Sequence, residues 1–119
     1  LIDSGGQYKF GTTDVTRTIS LNNSSKNIKR IFTKVLQGHI AVDTFELKEK
    51  TTGNDIDKVA RKPLNSIKLD YPHGTGHGVG YFLNVHEGPQ AITKKNHVKL
   101  KEGMVLSNEP GFILIKSLV

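Results

Sequence analysis

Cysteine and tryptophan are absent from this 119-residue chain, which holds one methionine and four prolines. Without thiols there is no disulfide framework and no thiolate metal site, and a reducing compartment is mildly preferred. Acidic side chains are in deficit, 11 against 17 Lys and Arg, for a net charge of +6. Such an excess raises nucleic acid as a partner. The lysines are nevertheless scattered, with no Arg-rich tract and no interleaved aromatics, so a solvated surface is the better account. Long apolar runs are missing too. No stretch approaches the roughly 20 residues of a membrane span, and no signal-peptide pattern opens the chain. Neither nucleic acid nor membrane is therefore expected as a partner, and the cytoplasm is the expected location. The length suits one domain. Because the chain opens with Leu1-Ile2-Asp3 on what reads as mid-strand, it is expected to be a piece of a longer protein.

What is abundant is glycine, 12 residues, concentrated beside histidine. Residues 72–89 read Pro-His-Gly-Thr-Gly-His-Gly-Val-Gly-Tyr-Phe-Leu-Asn-Val-His-Glu-Gly-Pro and carry His73, His77 and His86. Glycine on alternate positions (Gly74, Gly76, Gly78, Gly80) strips side chains from one side of an extended segment and lets backbone or ligand approach closely. The imidazoles remain to face that ligand. His39, near a helix end, and His97, in a lysine-rich run, are assigned no chemistry.

Residues 1–8 read as a buried strand stopped at Ser4-Gly5-Gly6, and β-branched residues 12–20 as the returning strand of a hairpin. Such pairing can place Asp3 and Asp14 on one face. Ser24 or Ser25 is a plausible N-cap. Beyond it Ile28, Ile31, Phe32, Val35, Leu36 and Ile40 recur at helical spacing, predicting an amphipathic helix that packs on the sheet. Ile56, Val59, Ala60 and Leu64 mark a second helix that Pro63 should bend or end. Residues 81–85 are apolar enough for a central strand, and residues 104–107 read as a short buried strand delivering Asn108-Glu109-Pro110-Gly111. The fold class is thus α+β, an antiparallel sheet covered by helices.

Asp3, Asp14, His77 and Glu109 each fall on a strand or at its end. Three carboxylates and an imidazole on a shared face repel unless a cation lies among them. Oxygen-rich ligation with one imidazole favours manganese, cobalt or magnesium, and the affinity order lets zinc compete. Two such ions about 3.5 to 4 Å apart generate hydroxide at neutral pH and polarise a carbonyl, which is hydrolytic chemistry.

Five segments in this order, Asp-Ser-Gly-Gly-Gln-Tyr (3–8), Gly-Thr-Thr-Asp-Val-Thr-Arg-Thr (11–18), His-Gly-Thr-Gly-His-Gly-Val-Gly (73–80), Asn-Val-His-Glu-Gly-Pro (84–89) and Asn-Glu-Pro-Gly (108–111), closely resemble the catalytic domain of Xaa-Pro aminopeptidase, also called aminopeptidase P. The resemblance runs to about Phe112. It implies the pita-bread α+β fold shared with prolidase and methionine aminopeptidase, here incomplete, with residues 1–119 as a fragment of one metallopeptidase catalytic domain. The Glu after His86 looks more like the aminopeptidase P branch than like prolidase. Also implied are two divalent metal ions, manganese first with cobalt or zinc possible, and a homodimeric parent. The substrate would be a peptide with proline in second place. Asp3 would hold one ion, Asp14 would bridge, and His77 and Glu109 would bind the other, Glu109 also handling a proton of the attacking water. His73 and His86 would donate hydrogen bonds to the tetrahedral intermediate.

The chain also departs from the family. A further bridging glutamate lies beyond the point matched by Glu109, and a histidine lies upstream of the first Asp. Residues 112–119 are unlike the family's continuation, as an early stop or shifted frame would produce. The chain alone is accordingly expected to be weakly active or inactive. The alternatives are a pita-bread binding module without catalysis, against which the retained carboxylates argue, and a nucleic-acid binder with steeply salt-dependent affinity.

Overall fold

The computed structural model describes residues 1–113; the reading of the tail concerns mainly residues 114–119, which lie outside that range. Two strands, β1 (Ile2–Tyr8) and β2 (Gly11–Arg17), are followed by two helices, α1 (Lys26–Asp43) and α2 (Gly53–Asn65), and by two short strands, β3 (Gly76–His77) and β4 (Ala91–Ile92). Each strand pair forms its own antiparallel two-stranded sheet, β1 with β2 and β3 with β4.

The hairpin register runs from Ile2 opposite Arg17 to Tyr8 opposite Gly11. Strand β1 therefore passes through Ser4-Gly5-Gly6 without stopping. Nor is it buried: Leu1 and Ile2 are 80% and 59% exposed. Partners across a ladder share a face, as do residues two apart. With Gly5 opposite Asp14, Asp3 and Asp14 lie on one face, diagonally related.

Helix α1 begins where the Ser25 hydroxyl accepts the Ile28 N–H at 3.2 Å, satisfying one of the free donors of a first turn. It ends at Thr44, whose N–H and hydroxyl both donate to the Ile40 carbonyl. The helix does not pack on a sheet. It lies on α2, with Gly38 set against the Ala60 carbonyl where a Cβ could not fit. Side chains choose this face because the small residues at 38 and 60 allow the two backbones to meet. Ile28, Phe32, Leu36 and Ile40 are left about half exposed.

Helix α2 carries the core. Ile56, Ala60 and Leu64, spaced four apart, bury one stripe together with Tyr71 and Ile92. Its first turn is held by Asp55, whose carboxylate accepts from the Thr52 hydroxyl at 2.8 Å and the Thr52 N–H at 3.1 Å. Pro63 sits inside the last turn, and the helix stops two residues later.

Residues 81–85 form no strand. Gly80 N–H bonds the Asn84 carbonyl at 3.0 Å, curling the segment. Leu83 has φ of +64° and gives its N–H to Gln7 Oε1 instead of to a ladder. Tyr81, Phe82 and Leu83 face outward, which corrects the central-strand expectation. Residues 104–107 are likewise only partly a strand. Leu106 forms an isolated bridge with Gly78, while Val105 is 59% exposed.

Candidate metal centre

Alternation through residues 75–79 sends successive backbone groups to one antiparallel neighbour. Glu109 N–H donates to Thr75 O at 2.8 Å, Ser107 N–H to His77 O at 2.8 Å, and Val79 N–H to Val105 O at 3.4 Å. These bonds fix Glu109 beside His77. The Ser107 hydroxyl ties the pair from both sides, accepting the His77 N–H at 2.9 Å and donating to Glu109 Oε1 at 2.5 Å.

His77 Nδ1 lies 2.9 Å from the Gly78 carbonyl, which can only accept, so Nδ1 carries a proton. Nε2 then faces two carboxylates, Asp14 Oδ2 at 3.0 Å and Glu109 Oε1 at 2.9 Å. In the neutral ring a lone pair would point at both oxygens. A proton or a cation must lie between them, and fixing the tautomer through the opposite nitrogen is how imidazole ligands are oriented. The donor chemistry thus fits a divalent ion.

His86 stands edge-on to His77, with ring centroids 4.0 Å apart and planes at 81°. Asp14, His77 and His86 offer donor atoms within 4.8 Å of one another, with Asp14 and His77 half-buried and His86 exposed. Glu109 joins this group through His77. Asp3 and His73 are not among these three clustered donors. Asp3 is exposed on the hairpin, and among the described residues no hydrogen bond or ion pair engages its carboxylate. His73 is half-buried, its Nδ1 2.7 Å from the Gly74 carbonyl and its ring 4.8 Å from that of Tyr71, with Nε2 toward Gly111.

The model of metallopeptidase family M24 matches residues 1–118. The chain belongs to that family. It is 56% identical over 115 residues to a Laccaria bicolor protein named "Probable Xaa-Pro aminopeptidase P", covering 94% of this chain and 18% of the relative. Among solved structures, X-prolyl aminopeptidase from Caenorhabditis elegans, described as a cytosolic enzyme with a di-nuclear active site, superposes with a TM-score of 0.88 at 43% identity, over 94% of this chain and 18% of that one. Prolidase from Pyrococcus furiosus gives 0.83 at 30% identity, over 94% and 33%. The chain thus spans about a fifth of the length of the aminopeptidase relatives it matches. The α+β pita-bread fold expected from the sequence is the one these neighbours share, here in part.

In this M24 chain the histidine segment hangs on a buried network that the sequence reading passed over. Asp57 and Arg61 are 0% and 5% exposed. Arg61 Nε donates to Asp57 Oδ2 at 2.8 Å, Nη1 to Asp70 Oδ1 and the Tyr71 carbonyl, both at 2.8 Å, and Nη2 to the His73 carbonyl at 2.7 Å. The Thr75 hydroxyl donates to Asp57 Oδ1 at 2.6 Å and accepts from Tyr71 OH at 2.5 Å. Burial alone would lower the Arg61 guanidinium; its bonds to Asp57 and Asp70 outweigh that and hold it above its usual value. Burial likewise works to raise the Asp70 carboxyl, yet the Arg61 bond, the Tyr71 N–H and Lys94 hold it below the ordinary range. For the Tyr71 phenol burial prevails and pushes it up.

An Asp and an Arg four apart on a helix look like a solvated pair. The available signal was position: Asp57 and Arg61 immediately follow Ile56 and Ala60, so all four belong to one broad buried face. Among the described residues no helix is long and apolar enough to cross a membrane.

Proposed function

We propose that this chain is a fragment of the catalytic domain of a dimetal Xaa-Pro aminopeptidase, acting on peptides with proline second, and that the fragment alone is weakly active or inactive. The observation that carries the reading is the approach of Asp14 and Glu109 to one imidazole nitrogen, His77 Nε2. Asp3 and Asp14 would hold one divalent ion, and Asp14, His77 and Glu109 the other, with manganese first in rank. Ions held there would supply Lewis acidity toward a peptide carbonyl and toward water. Glu109 takes the water proton on Oε2, since Oε1 already accepts from Ser107. His73 and His86 donate hydrogen bonds to the developing oxyanion, an interaction on the order of 10²-fold to 10³-fold in rate in other hydrolases. Support for the substrate class comes from the naming of the relatives as Xaa-Pro and X-prolyl aminopeptidases. The description of the Caenorhabditis protein as cytosolic supports a cytoplasmic parent enzyme. That parent is taken to be a homodimer.

The test is a manganese titration of the 119-residue chain with a Xaa-Pro peptide assay. Metal binding with little turnover is expected; turnover equal to that of an intact enzyme overturns the statement of weak activity. The exposed, unengaged Asp3 favours a second reading, a binding module of the same fold without catalysis. Calorimetry that detects no divalent-ion binding would decide for it.

A further inference from the structure

The β1–β2 hairpin carries Asp3 and Asp14, yet among the described residues neither of its strands packs closely against α1, α2, β3 or β4. Two hydrogen bonds among those residues tie it to the rest of the fold. One joins His77 Nε2 and Asp14 Oδ2 at 3.0 Å and needs a proton or an ion between its partners. The other runs from the Leu83 N–H to Gln7 Oε1 at 2.8 Å and needs neither. Gln7 lies two residues along from Gly5, the ladder partner of Asp14, so Gln7 and Asp14 share one face of the hairpin.

Both ends of the second bond are prepared for it. Gln7 Oε1 also accepts the Thr12 hydroxyl at 2.8 Å, and Gln7 Nε2 donates to the Tyr8 carbonyl at 2.9 Å, so the amide is held from two sides. A backbone N–H can only donate, which makes the atom facing Leu83 the oxygen. On the loop, the Asn84 N–H donates to the Phe82 carbonyl at 2.9 Å and closes a γ-turn centred on Leu83. Leu83 has φ of +64°, a left-handed conformation that a bulky side chain rarely adopts and that persists only where its surroundings hold it. The Glu87 N–H bonds Gly78 O at 2.8 Å, and a Cβ on Gly78 would run into the Glu87 carbonyl, so residues 84–87 fold back beneath this turn. Gln7 thus grips the loop that brings His86 edge-on to His77.

We infer that Gln7 is a positioning residue: by accepting the Leu83 N–H it holds the hairpin, and with it Asp14, against the histidine segment before any ion arrives. A site arranged in advance does not spend binding energy on ordering its ligands. For ion binding the inference rests on the metallopeptidase reading; for the placement of the hairpin it does not.

The test compares Gln7→Met, which keeps the side-chain length without an acceptor, with Gln7→Glu, which keeps the acceptor oxygen. The chain has no cysteine, so Phe10→Cys on the hairpin turn and Lys58→Cys on α2, both exposed, take spin labels at defined positions. Without metal, pulsed electron resonance should give a narrow label-to-label distance for the parent and for Gln7→Glu, and a clearly broader one for Gln7→Met. Calorimetric titration with manganese should show Gln7→Met binding about 10-fold more weakly than the parent. The urea midpoint of the helices should not move, because the hairpin packs on no core element. An unbroadened distance in Gln7→Met, equal broadening in Gln7→Glu, or unchanged manganese affinity overturns the inference and leaves the metallopeptidase reading standing. A parent chain that binds no manganese sinks that reading instead, and the distances alone then decide whether Gln7 places the hairpin.

Discussion

Replacing Arg61 by Met keeps much of the stem volume and removes the guanidinium from beside Asp57, which is 0% exposed. Four donated hydrogen bonds disappear, one to the Asp57 carboxylate, one to Asp70 and two to the carbonyls of Tyr71 and His73. Thr75 then remains as the partner of a buried negative charge. Breaking a buried pair from one side costs about 3 to 5 kcal/mol, a large share of the 5 to 15 kcal/mol by which domains are typically stable. Urea denaturation followed by far-UV circular dichroism should show a loss in that range. Combining Arg61→Met with Asp57→Leu should lose less than the two single losses added, because the stranded carboxylate is gone. The segment 71–75 should also loosen, so the Glu109 amide, bonded to Thr75 O, should exchange faster than amides in α1. A loss below about 1 kcal/mol, or strictly additive losses, would refute the claim that this pair organises the histidine segment.

Thr75→Val removes the hydroxyl bond to Asp57 with little change of shape and should cost about 1.5 to 3 kcal/mol, whereas Thr75→Ser should recover most of it; equal stabilities in denaturant would contradict this. Asp70 should make stability depend on pH in acid. Its folded carboxyl is held below the unfolded value, so its contribution is present above about pH 4 and lost as pH falls through the folded value. Asp70→Asn should flatten that part of the acid-unfolding curve, and an unchanged curve would count against the Arg61–Asp70 pair. Gly78→Ala should cost about 1 to 3 kcal/mol by overpacking against the Glu87 carbonyl. It should also erase the ring-current effect of His86 on His77, and proton spectra identical to those of the parent would argue against the fold-back of residues 84–87.

The hairpin was legible because β-branched alternation and its turn are local, as was α1, whose apolar period and Ser25 cap need no distant partner. The surface on which α1 packs was not legible. A period identifies an apolar face but not what covers it, and the contact went to small Gly38 against the Ala60 carbonyl while Phe32 and Leu36 stayed about half exposed. Apolar residues 81–83 misled for a related reason. Three hydrophobic side chains in a row suit a strand, yet the Leu83 N–H went to Gln7 and the Gly80 N–H to Asn84.

By itself the sequence determined which chemical groups are available: no thiol, imidazoles spaced among glycines, and carboxylates near both ends, a combination suited to hard or borderline cations. Only the tertiary structure decided that Asp14 and Glu109 meet at one nitrogen of His77, that His86 stands beside them, and that Asp3 shares the hairpin face of Asp14. The reason is distance along the chain. Asp14 and His77 are 63 residues apart, and their approach depends on backbone bonds and a buried Asp57–Arg61–Thr75 network whose polar members look, in sequence, like ordinary surface.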